Sequence, residues 1–183
     1  MNERIEDHVI SYRVMNVKEA ELIAQIDRSE YIEKVYRIEE GSIQEIQAGH
    51  ECVAWDSHHL EELKARYREQ LHGGGFAYGA YDGTTLAGFG VLGYKFRGQD
   101  LNQLQVDLMY VSRAYRRQGI GRTIMNELKR EAIRRGAAYL YVSSTETQSA
   151  VQFYTHCGSR LTAEVDEELY QLEPEDIHMV IKL

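Results

Sequence analysis

The chain reads as an α/β protein, a mixed sheet with helices on both faces, and two observations predict it. The first is a β-α-β pattern over residues 104–142. An apolar run (104–111) leads into a basic, glycine-containing turn, an amphipathic stretch (119–135) follows, and a second apolar run (138–142) closes the unit. Parallel strands joined by a crossover helix are covered on both faces, so they read as near-continuous apolar runs. The second is Asp82-Gly83 between two strand-like segments, a strong two-residue hairpin signal. An antiparallel meander feeding a right-handed crossover makes a mixed sheet.

The elements follow in order. Residues 11–15 alternate as a first strand. From 17 to 26, Val17, Ala20, Leu22, Ile23 and Ile26 recur at helical spacing, with Asn16 as N-cap. Residues 30–38 mix Tyr31, Ile32, Val35 and Tyr36 with charges and fit helix or irregular chain. A turn at 39–42 precedes a loosely alternating, strand-like stretch from 42 to 53. Asp56 or Ser57 caps a helix over 58–71, with Leu60, Leu63, Tyr67 and Leu71 on one face. Gly73-Gly74-Gly75 ends it; without a following Gly-Lys-Ser/Thr the triplet is a turn and not a phosphate loop. Strands over 76–81 and 85–96 flank the hairpin turn, and the central strand runs from 101 or 104 to 111.

The helix from Gly119 presents Ile120, Ile124, Leu128, Ala132 and Ile133 as its buried stripe. Its last turns carry Lys129, Arg130, Arg134 and Arg135, where the dipole favours cations, and Gly136 stops it. After the strand at 138–142, residues 145–148 form a polar turn and 149–156 a short helix with Gly158 as its C′ residue. Residues 160–165 and 177–183 form a last pair of strands. The acidic residues between them (Asp166, Glu167, Glu168, Glu173, Glu175, Asp176) mark an exposed connection. The predicted order is β-α-α-β-β-β-α-β-α-β-β.

A chain of 183 residues suffices for one well-cored domain, and no proline-rich linker or low-complexity tract divides it. Residues 1–7 are charged and lack the apolar core of a signal peptide. No apolar run approaches the roughly 20 residues of a membrane span. The expectation is a cytoplasmic protein with no membrane partner. Cys52 and Cys157 lie far apart without a CxxC, so neither a disulfide nor a zinc signature arises. His58, His59 and His178 fit surface or packing positions, and no metal is expected.

The net charge of −8 argues against nucleic acid as the main partner. It is unevenly spread. Residues 105–145 carry eight Lys/Arg against three Asp/Glu, residues 1–75 nine against sixteen, and residues 160–183 two against seven. A basic middle suits an anionic ligand and acidic flanks suit a cationic one. Acidic surface that only keeps the chain soluble gives the same count.

The basic middle centres on the loop between strand and helix, with Arg113, Arg116, Arg117 and the closely spaced Gly119 and Gly121. The first amides of a helix lack intrahelical acceptors, and the dipole adds about half a positive charge there. Glycines permit close approach and arginines add donors, so a phosphate or pyrophosphate is the natural guest. An ordinary strand–turn–helix with solvated arginines would carry the same residues.

The run Arg116-Arg117-Gln118-Gly119-Ile120-Gly121, placed between strand and amphipathic helix, is similar to the pyrophosphate-binding pattern Arg/Gln-x-x-Gly-x-Gly/Ala of the GNAT superfamily of acyl-coenzyme A-dependent N-acetyltransferases. Ala150, Phe153, Tyr154 and Gly158 resemble that family's second signature, a helix ending Phe-Tyr-x-x-x-Gly. The resemblance covers residues 76–183 well and the N-terminal third by element order. It implies acetyl-CoA as acyl donor. It also implies that the loop from Arg116 and Arg117 onward holds the pyrophosphate. The backbone amides of Gln118, Gly119, Ile120, Gly121 and Arg122 would do so, and Thr123 would add a hydroxyl. The strand end at Met109, Tyr110 and Val111 would pair with the pantetheine arm. Many members carry Asn ahead of the second helix; here Thr147 or Gln148 is the replacement contact. Ser159 follows Gly158 where Phe is common, a local packing change.

Acetyl transfer to an amine needs a neutral amine, a polarised thioester and a proton for the departing thiolate. By resemblance Tyr154 is the general acid, a phenol protonated at neutral pH. A core tyrosine is the alternative in a chain with thirteen. Asp107 shares a strand face with Gln105 and, as the ionisable one of the two, is the candidate base. A structural or substrate-orienting Asp107 stays open, as does a water chain to Glu39, Glu40 or Glu146. The reading is a single N-acetyltransferase domain over residues 1–183, with 1–75 on the acceptor side and 76–183 as coenzyme-binding core. Its acceptor is a small-molecule amine, cationic on the charge count, in preference to a protein amine; a homodimer is open. The alternative is an acyl-CoA-binding regulatory or interaction module without turnover. A dinucleotide-binding fold would want GxGxxG near the N-terminus and a later acidic residue, and this pattern is absent.

Overall fold

The computed structural model describes residues 9–183; residues 1–7, read above for a signal peptide, lie outside them. The chain runs β1 (Ile10–Met15), a 3-10 helix (Val17–Gln25), β2 (Glu30–Glu39), β3 (Ser42–Cys52), α1 (Ser57–His72), β4 (Phe76–Asp82), β5 (Thr85–Arg97), β6 (Gln103–Val111), a 3-10 turn (Arg113–Tyr115), α2 (Ile120–Arg134), β7 (Tyr139–Ser144), α3 (Gln148–His156), β8 (Ser159–Leu161), α4 (Glu167–Leu172) and β9 (Ile177–Lys182). Seven strands form one mixed sheet in the order β1-β4-β5-β6-β7-β9-β8, and β2 and β3 pair as a separate hairpin. The mixed sheet with helices on both faces is the predicted one. The β2–β3 hairpin and α4 add to the predicted order.

Residues 30–38 are strand, which their charges had obscured. Their β-branched and aromatic residues suit a pleated chain. Glu40 and Gly41, both at positive φ (50° and 76°), turn the chain back so that Glu39 pairs with Ser42. β3 is exposed along most of its length, so charges are tolerated there. Asn16 caps the 3-10 helix with a full capping box. Its side chain accepts from Lys18 N at 3.0 Å, and the Glu19 carboxylate accepts from Asn16 N at 2.9 Å.

The acidic connection is partly helical. Asp166 N-caps α4, accepting from Leu169 N at 3.1 Å, and Glu167 and Glu168 fill the first turn, where the dipole favours them. The strand expected over 160–165 stops at Leu161. Thr162 Oγ1 accepts from Glu164 N at 3.1 Å and turns the chain off the sheet edge.

Two cores flank the sheet. On one face Ile120, Ile124, Met125, Leu128 and Ala132 of α2 meet Leu104, Val106, Leu140 and Val142. On the other, Leu63 and Tyr67 of α1 meet Ile23, Phe89, Val91 and Leu108. Ile133 corrects the predicted stripe: it is 56 % exposed, and Met125 is fully buried in its stead. At 3.6 residues per turn Ile133 falls on the far side of α2 from the Ile120–Ile124–Leu128 line, and Met125 on its flank.

One irregularity positions the site. β6 and β7 pair in parallel at four positions only, the last being Val106↔Val142. At the same place the pairing with β5 skips: Val91 meets Leu108 and Leu92 meets Val106, so Asp107 is an extra residue. A bulge bends its strand and increases local twist. β6 therefore turns away from β7, residues 107–111 keep one edge unpaired, and the sheet splits. Because Leu128 is fully buried, Leu128→Ala should cost about 2–5 kcal/mol. Ile133→Ala should stay within about 0.5 kcal/mol. Denaturant unfolding of both variants checks this, and equal losses would refute the assignment of the stripe.

Candidate active site

The basic loop after β6 is held by residues 27–29. Ser112 Oγ accepts from Asp27 N at 2.7 Å, and Arg113 N donates to Asp27 O at 2.8 Å. Arg116 directs its guanidinium at three backbone carbonyls, of Val111 (2.9 Å), Ser29 (3.1 Å) and Arg28 (3.0 Å). Its side chain shapes the loop, whereas Arg117 and Arg122 are exposed. Gln118 Nε2 donates back to Ala114 O at 3.1 Å. Gly119, at φ 82°, takes a left-handed conformation that side chains disfavour. As N-cap of α2 it offers no side-chain acceptor, and the N–H groups of Ile120, Gly121 and Arg122 have none among the described residues. The first helical bond is Thr123 N to Gly119 O at 3.0 Å, and Thr123 Oγ1 donates to the same carbonyl at 3.2 Å. Three free amides at the positive end of a helix can bind an anionic group.

These amides adjoin the unpaired edge of β6. Met109 packs into the α2-side core, and Tyr110 into the α1-side core against Trp55, ring centres 4.9 Å apart. Val111 closes the strand and gives its carbonyl to Arg116. Across the split, Thr147 N-caps α3 (accepting from Ala150 N at 3.4 Å) and forms a bridge with Val35 of β2. Gln148 opens α3. α3 brings Phe153 and Tyr154 to the same place. The Phe153 ring fills the space beside Gly121, where a Cβ would stand 2.9 Å from it. Tyr154 is buried, its ring T-shaped to Phe153 at 5.2 Å, within electrostatic reach of Tyr110, Cys157 and Asp176. Burial pushes the Tyr154 phenol well above its ordinary value, so it is a protonated donor at neutral pH.

On the α1 face a cleft of about 420 Å³ opens beside the split. Gly93, Gln105 and Asp107 form its floor; Glu62, Arg66 and Glu69 of α1 form one wall, and Glu168, Leu172 and Glu173 of the α4 segment another. Gln105 and Asp107 share this face, as strand alternation predicts. Asp107, its side chain 3 % exposed, is held by both oxygens: Arg66 Nε donates to Oδ2 at 3.0 Å and Nη2 to Oδ1 at 2.9 Å. This bidentate fork is the strong form of side-chain pairing. Glu69 and Glu173 make no ion pair among the described residues.

Sequence reasoning missed Arg66 and Asp176. Arg66 lies 41 positions from Asp107 on the exposed-looking side of a helix, and no spacing signals the pair. Asp176 stood in the stretch read as an exposed connection, yet it is half-buried, and Ser143 Oγ donates to its Oδ2 at 2.8 Å. Burial above all pushes its carboxyl up to about 6. Glu39 and Glu40 lie at the exposed tip of the β2–β3 hairpin.

α4 is tied to the sheet by Arg97, which donates from Nη1 to Asp166 (3.0 Å) and Glu168 (3.2 Å). Asp166 N donates to the Tyr141 hydroxyl at 2.9 Å, and that hydroxyl shares a hydrogen bond with His178 Nδ1 at 2.7 Å. His178 is thus a buried packing residue, with its pKa lowered by burial. Among the described residues no group of three or more His, Cys, Asp and Glu is placed to hold a metal ion, and no helix is long and apolar enough to cross a membrane.

A search of curated proteins finds no match to the chain. Among solved structures, nourseothricin acetyltransferase superposes with a TM-score of 0.72 at 23% identity, covering 94% of this chain and 98% of its own. A protein assigned as a streptothricin acetyltransferase from Bacillus anthracis, in complex with acetyl coenzyme A, gives 0.70 at 16% identity, covering 96% and 99%. The ribosomal-protein-S18-alanine N-acetyltransferase of Escherichia coli gives 0.60 at 14% identity, covering 95% and 94%. At these identities the likeness shows the fold. The sequence profile of the Acetyltransferase (GNAT) family matches residues 33–159, well over half of the chain, and the chain belongs to that family.

Proposed function

We propose that the protein transfers an acetyl group from acetyl-CoA to a primary amine of a small cationic acceptor. The split between β6 and β7 carries this reading, because it joins an anion site on one side to an acidic cleft on the other. The three free amides at Ile120, Gly121 and Arg122 suit a pyrophosphate. The unpaired edge of residues 107–111 suits an extended, amide-containing arm, since an exposed strand edge binds by main-chain hydrogen bonds. The residues present therefore fit acetyl-CoA as acyl-donor substrate, and the Bacillus anthracis relative was solved with it bound. A coenzyme of central metabolism also favours a cytoplasmic location.

The acceptor reading rests on the cleft. Asp107 is neutralised by Arg66, but Glu69 and Glu173 keep unpaired carboxylates toward the opening, which favours a cation. A relative that acts on nourseothricin by name supports a small acceptor. We assign Asp107 to orienting that acceptor, since the Arg66 fork occupies both of its oxygens. Tyr154 is the general acid: its proton goes to the sulfur as the carbon–sulfur bond breaks.

The test is a free-thiol release assay with polyamines, amino sugars, cationic antibiotics and a peptide amine. Turnover should be confined to small cationic amines. Tyr154→Phe should lower kcat by about 10²-fold or more with little change in the KM for acetyl-CoA. Full activity in that variant would remove Tyr154 from the mechanism. Coenzyme binding by calorimetry with no thiol release from any amine would establish the non-catalytic module instead. A side chain at the φ of Gly119 costs roughly 1–2 kcal/mol. Gly119→Ala should therefore weaken coenzyme A binding by about tenfold while the acceptor KM holds; unchanged affinity would place the anion site elsewhere.

A further inference from the structure

We propose that Asp176 is the proton acceptor for the attacking amine, held in place by Ser143. This rests on the acetyl-transfer reading and adds a catalytic residue to it. Ser143 is the first residue of β7 beyond the last parallel pair, as Asp107 is on β6. The two residues thus stand on opposite banks of the split. β9 pairs His178 with Ser143 and Ile177 with Ser144, which sets Asp176 at the mouth. Side chains alternate along the strand, so Asp176 and His178 face the side of Val180, which packs with Tyr141 and with Leu169 of α4. That is the side of the cleft.

The two carboxylates are not equivalent. Asp107 has both oxygens engaged by the Arg66 fork. Asp176 accepts one hydrogen bond at Oδ2, from Ser143, and its Oδ1 has no donor among the described residues. Within electrostatic reach of it are Arg66 from α1, Glu173 at the end of α4, Glu146 in the β7–α3 turn, Tyr154 of α3 and Tyr110 of β6. Burial raises its carboxyl first, Ser143 draws it back, Glu173 and Glu146 raise it and Arg66 lowers it, for a net value of about 6. Burial raises both groups, yet near pH 7 the Asp176 carboxyl is largely ionised while the Tyr154 phenol keeps its proton, so one can accept and the other donate.

The proton count closes. The amine nitrogen attacks the acyl carbon and its surplus proton goes to Asp176 Oδ1. The carbon–sulfur bond breaks, its electron pair stays on sulfur, and the Tyr154 proton goes there. Solvent then takes the proton from Asp176 and restores the one on Tyr154.

The test compares wild type with Asp176→Asn and Ser143→Ala. Below about pH 6 the wild-type plot of log kcat/KM against pH should steepen by one proton, because the base must be ionised. In Asp176→Asn that extra slope should vanish and kcat should fall by about 10²–10⁴-fold, with the KM for acetyl-CoA within about twofold. In Ser143→Ala the break should move to higher pH, since a bond favouring the carboxylate is gone. A folded pKa above the unfolded one makes the ionised group a burden that is fully present above about pH 6 and absent below the unfolded pKa. Asp176→Asn should therefore raise Tm above pH 7, which checks the buried, ionised carboxylate, whereas the lost slope checks its role as base. A carboxyl infrared band titrating near pH 6 in the coenzyme-free protein should be missing from the variant. An active wild type whose variant keeps the slope, the band or the rate would overturn Asp176 alone. A wild type that releases no thiol with any amine would overturn the transferase reading, and this proposal with it.

Discussion

The site depends on one unmatched backbone residue. Asp107 has no partner on β5, and beyond it β6 has no partner on β7. Every N–H and C=O on that open edge must find a partner elsewhere, because buried peptide groups without one are strongly disfavoured. An open edge inside a sheet is unstable to closure, so the surrounding structure must hold the banks apart. On one bank, Arg116, Ser112 and Arg113 fasten the end of β6 to residues 27–29. On the other, the bridge between Val35 and Thr147 and the bond from Tyr36 N to Glu146 O (2.7 Å) fasten the start of α3 to β2. Both banks thus hang on one continuous segment, residues 27–36, and Glu30 touches each. It accepts from Ser149 Oγ at 2.8 Å and lies 3.7 Å from Arg116 Nη1. Such part-exposed pairs contribute little stability singly. Their effect here is geometric: the width of the split is set by the length of β2.

This explains which parts of the molecule were legible in the sequence. The crossover and the meander were, because apolar runs, Asp82-Gly83 and the glycines around α2 report local rules. The loop at Gly119 was legible for the same reason, as a strand-to-helix turn needs its chemistry in consecutive residues. β2 was not. Its strand character comes from pairing with β3 and docking on Thr147, and its alternating charges look helical until those contacts exist. α4 was hidden by its own acidic composition, which reads as solvated chain until Asp166 is seen as its cap. The opening residue Asp107 was visible, while its fork partner Arg66 was not, since a helix face gives no sign of which strand it will cover. Ile133 shows the converse error: an apolar residue one position past Ala132 counts toward a stripe in sequence and points to solvent in space.

The charge segregation along the chain becomes a polarity across the sheet. In the basic segment 105–145, the exposed Arg113, Arg117 and Arg122 lie beside the free amides at the start of α2, and Arg130 and Arg134 lie at its far end. The acidic segments, from α1 and from the α4 region, line the cleft on the other face. On the proposed reading, a negative donor and a positive acceptor would meet at the split, each drawn to its own side. This is a reason for the acidic residues of α4 beyond solubility. Without Glu168 and Glu173 the acids Glu62, Glu69 and Asp107 would only balance Arg66, Lys95 and Arg97, and the cleft would lose its negative bias.

The same arrangement accounts for the carboxylates at the split. A cleft that attracts cations through carboxylates raises the proton affinity of any further carboxylate placed among them. Asp107 is paired with Arg66, which crosses from α1 to cover it. Asp176, at the opposite bank, accepts one hydrogen bond, from the Ser143 hydroxyl, and Glu173 and Glu146 raise its carboxyl while Arg66 lowers it. One bank is thereby fixed in an ion pair and the other is left close to its titration point. On the proposed mechanism this asymmetry, more than the presence of either acid, would give the split a direction for the proton.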